Sequence, residues 1–281
     1  MAKIHVITDS TSDIPAEIAS ALDIKVVPIY IRFGERVYKD GLDITKEEFF
    51  RKLAASPVQP ATSQPTPEDF ETFYAQYCDK TEGIISIHIS SKISGTFNSA
   101  SIAKKMMRSN CPIEVIDSTF NSAGAMLVVM EAARQIQAGS SFENTVIATR
   151  QVILKIHMLG IFSTMKYLAR SGRVSRTLAK AASILNVMPL LTFHEGEIVR
   201  AGLVRSFNKG MDRLVDFVRN KGNVKELVIV HSAIPERAQQ FVERLSEFVP
   251  REKMIITHLG AALGVHGGPG VLLVALRSDS E

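Results

Sequence analysis

The side chains best suited to chemistry lie in three separate polar segments, and the first is rich in proline. Residues 56–67 contain four prolines, with Thr62 and Ser63 between them. Proline fixes its own φ angle and removes a backbone donor, so both hydroxyls are expected on a stiff loop. They are candidate donors to an anion. Serine and threonine are also common in turns and helix caps, and that structural use is the alternative.

The second segment, residues 90–96, joins a predicted strand to a predicted helix. Ligands of open α/β sheets bind beyond the carboxyl ends of strands, and the free N–H groups of a helix start attract anions. Ser94 can donate to an anion or cap the helix. Gly95 allows close backbone approach, and Thr96 adds a second hydroxyl. Plain capping is again the alternative.

The third segment, residues 264–270, places four glycines around His266. A loop is expected here, because glycine is a poor helix former. A histidine in such a loop is well placed to meet a ligand, with Gly267 beside it. The competing interpretation is a core histidine that meets one backbone partner.

Ser94 and His266 could instead form the nucleophile and base of a hydrolase or acyltransferase. The Gly-x-Ser-x-Gly elbow is absent, because Lys92 and Ile93 precede Ser94. The sequence also lacks the GxxxxGK[ST] motif for nucleotide phosphates and the HExxH motif for a metal. We therefore expect no metal, no cofactor and no nucleotide bound by a P-loop.

Alternating strand and helix patterns in the first half of the chain predict a mostly parallel sheet with flanking helices. In the second half, segments 187–193 and 197–205 predict a hairpin, and later crossovers make a mixed sheet. The fold class is α/β with two domains, an N-terminal α/β domain at 1–157 and a C-terminal mixed α/β domain at 158–281. The predicted strands before the boundary are 4–8, 25–31, a short strand ending near 38, 83–89 and 113–117.

Composition permits a soluble protein with an aliphatic core: 46% of residues are hydrophobic and Trp is absent. Two cysteines outside any CxxC pattern, and no run near the ~20 apolar residues of a membrane span, favour a cytoplasmic protein. Residues 1–157 carry 16 Lys and Arg against 18 Asp and Glu, whereas 158–281 carry 17 against 11. The second half, at +6, could face an anion or an acidic partner, but no basic stripe with aromatics indicates nucleic acid.

Three cations of the second half have helical spacing. Lys166, Arg170 and Arg173 lie at i, i+4 and i+7, which is one face if this stretch is helical. They could dock an acidic protein surface or offset phosphate charge. A solvated helix face is the alternative.

Taken in order, these segments resemble the DegV family of bacterial fatty-acid-binding proteins, over nearly the whole chain. Each motif is weak alone, but their order and spacing are specific. The motifs are ITDSTSD at 7–13, TSQP at 62–65, SSKISGT at 90–96, DS at 117–118, YLARSGR at 167–173 and HGGPG at 266–270.

The resemblance implies a long-chain fatty acid such as palmitate between two α/β domains. Its carboxylate would meet Thr62 and Ser94, with His266 close by. Family members of this kind present the lipid to a separate ATP-binding kinase subunit, which forms an acyl-phosphate, so the chain is not expected to be an enzyme alone. Peripheral membrane contact is compatible with this role. Supporting residues would be Ser63, Gly95, Thr96 and Gly267, with Arg170 and Arg173 facing the partner or phosphate.

Two positions depart from the family pattern. Ser171 replaces a usual glycine before Gly172, and Gly267 replaces a usual Thr or Ser beside the histidine. A lipid transport or regulatory protein that works without any kinase is a further alternative.

Overall fold

The first sheet is parallel and has four strands in the order β2-β1-β6-β7. A computed structural model describes residues 3–79, 81–174 and 187–279. Long β-branched runs form these strands because both faces of a parallel sheet are covered by helices. The strands are β1 (Lys3–Asp9), β2 (Ile24–Val27), β6 (Thr81–His88) and β7 (Ile113–Asp117).

Helices cover this sheet on two faces. Phe70 and Tyr74 of α3 and Ala100 of α4 pack with Ile84 on one face, whereas α5 packs on the other. The helices of this half are α1 (Ala16–Ala21), α2 (Lys46–Ala55), α3 (Pro67–Cys78), α4 (Thr96–Met106), α5 (Ser122–Gln137) and α6 (Phe142–Ile153).

A small antiparallel sheet has the strand order β4-β3-β5. The short strand expected near 38 is present as β4, but its pairing into a sheet was not predicted. The expected single strand at 25–31 is wrong, because Pro28 cannot donate to the ladder and β2 ends before it. The loop expected over 56–67 is wrong at its centre, where Thr62 pairs with Ile31. The strands are β3 (Tyr30–Phe33), β4 (Arg36–Lys39) and β5 (Ala61–Ser63).

The second sheet is mixed, with six strands in the order β10-β9-β8-β13-β11-β12. Only β11 and β12 run parallel; the other neighbours are antiparallel. The predicted hairpin is present as β9 and β10. The strands are β8 (Ile156–Phe162), β9 (Met188–His194), β10 (Glu197–Val204), β11 (Val224–His231), β12 (Met254–His258) and β13 (Val271–Ser278).

Helix α5 connects the two large sheets. One face of the second sheet packs on α8 and α9 through residues such as Leu214 and Phe241. The other face packs on α5, in a core that also contains first-sheet residues such as Ile85. The predicted boundary at 157 falls at the start of β8, and the division into two domains stays a prediction. The helices of this half are α7 (Lys166–Ser171), α8 (Phe207–Asn220), α9 (Pro235–Leu245) and α10 (Ala261–Gly267).

The loop expected at 264–270 is wrong over its first half, because α10 carries His266. Tertiary packing overrides the low helix propensity of glycine here. A Cβ on Gly264 would lie 2.6 Å from Cε1 of Phe49, so glycine lets α2 pack closely on α10. The helix ends at Gly267, and the capping residue Gly268 has a φ of +69° and a ψ of −171°, which favour glycine.

Within the described residues, no helix is long and apolar enough to cross a membrane. The same residues contain no group of three or more His, Cys, Asp and Glu side chains that could hold a metal ion.

The end of α10 generates a stability prediction. Gly268→Ala would strain the backbone and push a methyl group into the Tyr167 ring, at a cost of about 2–4 kcal/mol. Gly139→Ala is the matched control: its φ is +85°, with no atom within 4 Å of an added Cβ, so it should cost only about 1 kcal/mol. Urea unfolding measures both, and equal losses would contradict the packing argument.

Candidate functional site

Thr62 and His266 are brought together from opposite ends of the chain. Oγ1 of Thr62 lies 2.8 Å from Nε2 of His266. Pairing of β5 with β3 holds the threonine, and α10 holds the imidazole. Helix α10 and the small sheet share a core that includes Ile31, Phe49 and Val265. The contact therefore depends on the small sheet that the sequence did not reveal.

Ser94 reaches the same place from the carboxyl end of β6. Its Oγ lies 2.9 Å from Oγ1 of Thr96 and accepts from the N–H of Thr96 at 3.3 Å. The helix cap itself is Gly95. A Cβ on Gly95 would overlap the Gln64 side chain, so this glycine is what allows the Thr62 segment to approach the Ser94 segment.

One cavity is lined by all three residues that the sequence analysis expected to bind the carboxylate, Thr62, Ser94 and His266. Its lining atoms surround about 980 Å³ of free space, a volume that includes the part open to solvent. No Asp or Glu lines it among the described residues. The polar lining residues are Thr11, Thr62, Ser63, Gln64, Ser94, Asn121, Ser122, Arg173, Thr192 and His266; the others are Ile29, Ile89, Ile93, Met158, Gly160, Phe162, Leu168, Leu191, Phe193, Ile198, Leu259, Ala262, Leu263, Gly267, Val271 and Leu273.

The imidazole in this cavity is neutral at pH 7. Burial, assisted by the positive charge of Arg173, lowers the pKa of His266 to about 4. Its Nε2 meets Thr62, whereas its buried Nδ1 has no hydrogen-bond partner among the described residues. A neutral imidazole and two hydroxyls can donate hydrogen bonds to a carboxylate without forming an ion pair with it.

The supporting residues predicted from sequence are placed unequally. Ser63 and Gly267 line the cavity with the three predicted ligands. Thr96 is fully buried behind Ser94, and Gly95 acts by close packing. Their roles in ligand binding stay predictions.

The cation face expected from Lys166, Arg170 and Arg173 is wrong at its last member. Helix α7 ends at Ser171, and Gly172 has a φ of +70°, so Arg173 lies beyond the helix. It lines the cavity and donates to the carbonyl oxygen of Ser171 at 2.5 Å. Arg170 and Lys166 are exposed, one helical turn apart.

Sequence reasoning missed several polar lining residues, among them Thr11, Asn121 and Ser122. Thr11 follows β1, and the other two follow β7. Their positions just after the carboxyl ends of strands could have identified them as candidate ligand-binding residues. Ser122 adopts a φ of 45°, a left-handed conformation uncommon for serine.

A buried carboxylate holds this strained residue and the start of α10. Asp13 accepts a short hydrogen bond from the Ser122 hydroxyl and one of 2.8 Å from the N–H of Gly260. Asp40 accepts from the N–H of Ala262 at 3.3 Å. The two carboxylates cap the free N–H groups of the helix that carries the imidazole.

The hydrolase alternative lacks its required contacts in the described structure. Ser94 bonds Thr96, no hydrogen bond joins it to His266, and no carboxylate orients the imidazole.

A Ser-His-Asp arrangement exists elsewhere but is sealed. Ser86 Oγ lies 2.7 Å from Nε2 of His88, and Nδ1 of His88 lies 3.0 Å from Oδ2 of Asp9. None of the three side chains is exposed, and Tyr74 donates to Ser86 at 2.8 Å. This network fixes the ends of β1 and β6 and cannot receive a substrate.

Comparison with known proteins gives matches over nearly the entire chain. The model of the family described as "Uncharacterised protein, DegV family" matches residues 3–279. A DegV domain-containing protein from Caldanaerobacter subterraneus is 35% identical over 272 residues, which cover 96% of each chain.

Solved structures agree with this likeness. A structure described as fatty acid binding of a DegV family protein from Thermus thermophilus has a TM-score of 0.88 and 29% identity, covering 98% of this chain and 99% of that one. DegV from Bacillus subtilis, described as a fatty acid binding protein, has a TM-score of 0.89 and 27% identity, covering 99% and 100%. The predicted α/β fold class is confirmed.

Asp13 generates a pH prediction. Burial raises the pKa of Asp13 from 3.8 to about 7, although Lys46 and the two hydrogen bonds oppose it. The folded chain then binds a proton more tightly than the unfolded chain between about pH 4 and 7. This group therefore makes the free energy of unfolding fall as pH rises through that range.

Asp13→Asn should remove this contribution. Urea unfolding from pH 4.5 to 7.5 should show the free energy of wild type falling relative to the variant as pH rises. Contributions from His231 and His266, whose pKa values burial lowers to about 4, are common to both proteins and cancel in the difference. Exposed Asp216→Asn is the control. A wild-type curve parallel to that of Asp13→Asn would contradict the prediction.

Proposed function

The chain belongs to the DegV family, and we propose that it binds a long-chain fatty acid. The carboxylate would meet Thr62, Ser94 and His266, and the acyl tail would lie on the apolar floor of the cavity. One observation carries this proposal: a mostly apolar cavity has Thr62, Ser94 and His266 in its lining, with Arg173 beside the imidazole and no acidic residue among the described lining residues. The relatives described as fatty acid binding support it.

The tail supplies most of the affinity in this proposal. Burial contributes about 0.8 kcal/mol per methylene, so a sixteen-carbon acid gains on the order of 11 kcal/mol. A hydrogen bond to a charged group contributes about 1.5–3 kcal/mol. The head-group residues therefore orient the carboxylate more than they retain the lipid.

The second part of the proposal is that the bound carboxylate is presented to a separate ATP-dependent kinase. A carboxylate oxygen would attack the γ-phosphorus of ATP, ADP would leave, and an acyl-phosphate would form on this chain. Neutral donors support this step, because a bidentate arginine would draw charge from the attacking oxygen. The chain has no P-loop motif, so the partner would bring the nucleotide.

Exposed cations support the docking of such a partner. Arg170 and Lys166 lie on α7, which leads to Arg173 at the cavity. They could face an acidic surface or the phosphates in transit. A transport or regulatory role without a kinase is the alternative, and the absence of acyl-phosphate formation would favour it.

Lipid binding is tested by native mass spectrometry of the purified protein, followed by extraction of any bound lipid. We expect an added mass equal to a long-chain fatty acid, or uptake of palmitate when it is supplied. A protein that takes up no fatty acid would overturn the proposal.

The head-group assignment predicts the effect of two substitutions. Thr62→Val and Ser94→Ala should each weaken palmitate binding by roughly tenfold or more, because each removes a hydrogen bond to the carboxylate. Calorimetric titration measures the change. Ser91→Ala, at an exposed serine of the same loop, is the control and should bind as wild type does. Unchanged affinity in both site variants would refute the assignment.

The docking hypothesis predicts a separation of binding from phosphorylation. Arg170→Glu should leave palmitate affinity unchanged, because this exposed side chain does not line the cavity. Acyl-phosphate formation with ATP and an ATP-binding fatty acid kinase subunit should fall by about tenfold or more at low salt. Arg108→Glu, beyond the far end of α4, is the matched control. Equal phosphorylation of both variants would argue for a solvated helix face.

A further inference from the structure

One of the residues that line the cavity floor is a glycine, Gly160 in β8. Met158, Gly160 and Phe162 alternate with Leu159 and Ile161 along this strand. The first three line the cavity, whereas the other two pack in the core beneath the sheet. Gly160 thus occupies a cavity-facing position and contributes no side chain.

Large side chains surround Gly160 on four sides. Gly160 pairs with Leu273 of β13 on one side and with Leu191 of β9 on the other. Met158 and Phe162 precede and follow it on the same face of the strand. All four neighbours line the cavity.

The neighbours leave little room for a larger residue. A Cβ at position 160 would lie 3.0 Å from Cβ of Leu273 and 3.3 Å from Cε2 of Phe162. Glycine weakens a strand interior and often marks the close approach of a ligand or another backbone. The nearest backbone atom given for that Cβ is the carbonyl oxygen of Leu272 at 3.7 Å, an ordinary contact with the neighbouring strand. The tight contacts are with two side chains that line the cavity, so room for a ligand beside them is the use of glycine that the geometry offers.

We propose that Gly160 determines which acyl chains the cavity accepts, because the tail crosses the floor over this residue. The inference rests on the proposed fatty acid binding. An acyl tail that runs along the floor from Phe162 to Met158, or across it from Leu273 to Leu191, passes over Gly160. A side chain at 160 would divide the floor and stop the tail there.

The position of Gly160 separates short acids from long ones. Gly267, next to His266, packs near Val271 and Phe162, which pair with each other. Gly160 lies two residues further along β8, about 7 Å away. Each bond of an extended carbon chain spans about 1.2 Å. About six carbons of a tail whose head group lies beside Phe162 therefore fit before the tail reaches Gly160.

The test compares hexanoate and palmitate binding to wild type, Gly160→Ala and Gly160→Val in the full chain. Palmitate affinity should fall by about tenfold or more in Gly160→Val, because two lost methylenes already account for about that factor. Gly160→Ala should give a smaller loss. Hexanoate affinity should change by less than about threefold, because its tail ends before this row.

Gly202→Ala is the matched control. Gly202 is a strand glycine of the same sheet and pairs with Leu190, which packs in the core beneath the sheet. An added Cβ there would lie 3.5 Å from Leu190 Cδ1, an ordinary contact. This variant should keep wild-type affinity for both acids.

Circular dichroism shows whether the Gly160 variants fold. If they do not, a second variant tests the same inference. Leu273→Ala removes tail contacts from the same row and should lower palmitate affinity while leaving hexanoate affinity unchanged. If wild type binds palmitate and these substitutions change neither the palmitate affinity nor its ratio to hexanoate, the inference is overturned and the proposed function stands. If wild type binds no fatty acid, both are overturned.

Discussion

The buried Asp13 carboxylate is the contact on which the arrangement of the site depends. It caps α10 through the N–H of Gly260 and holds Ser122 in a left-handed conformation at the start of α5. These partners are 247 and 109 residues away in sequence. Because the carboxylate is fully buried, it needs these donors. A single group thus ties the loop after β1 to α5, which joins the two large sheets, and to the helix that carries His266.

The site follows from this anchoring, because its three central side chains come from three different parts of the fold. Thr62 comes from the small sheet, Ser94 from the end of β6, and His266 from α10. The contact between Thr62 and His266 would be lost if the helix moved relative to the small sheet. The second sheet provides the apolar surface of the cavity. Its strands present aliphatic side chains and the bare backbone of Gly160, so the cavity combines a polar end with an apolar floor.

Much of the fold could be predicted from sequence, because hydrophobic periodicity and turn residues report local backbone structure. The alternation of strands and helices, the hairpin of β9 and β10, and the β6–α4 junction at Ser94 are all of this kind. The small sheet could not be predicted. Its strand β5 has three residues, too few for a period, and it pairs with β3 some thirty residues earlier. The helix around Gly264 was missed because Phe49, distant in sequence, makes glycine favourable there.

The sequence by itself determined the types and order of the functional groups: two hydroxyl segments, a histidine among glycines, a basic second half and no P-loop motif. Motif order was sufficient for the family, because spacing along the chain is a property of the sequence. Only the tertiary structure decided that Thr62 meets His266, that Arg173 reaches the cavity and Arg170 does not, and that Gly160 lines the cavity. Those facts depend on contacts between residues far apart in sequence, which local propensity does not encode.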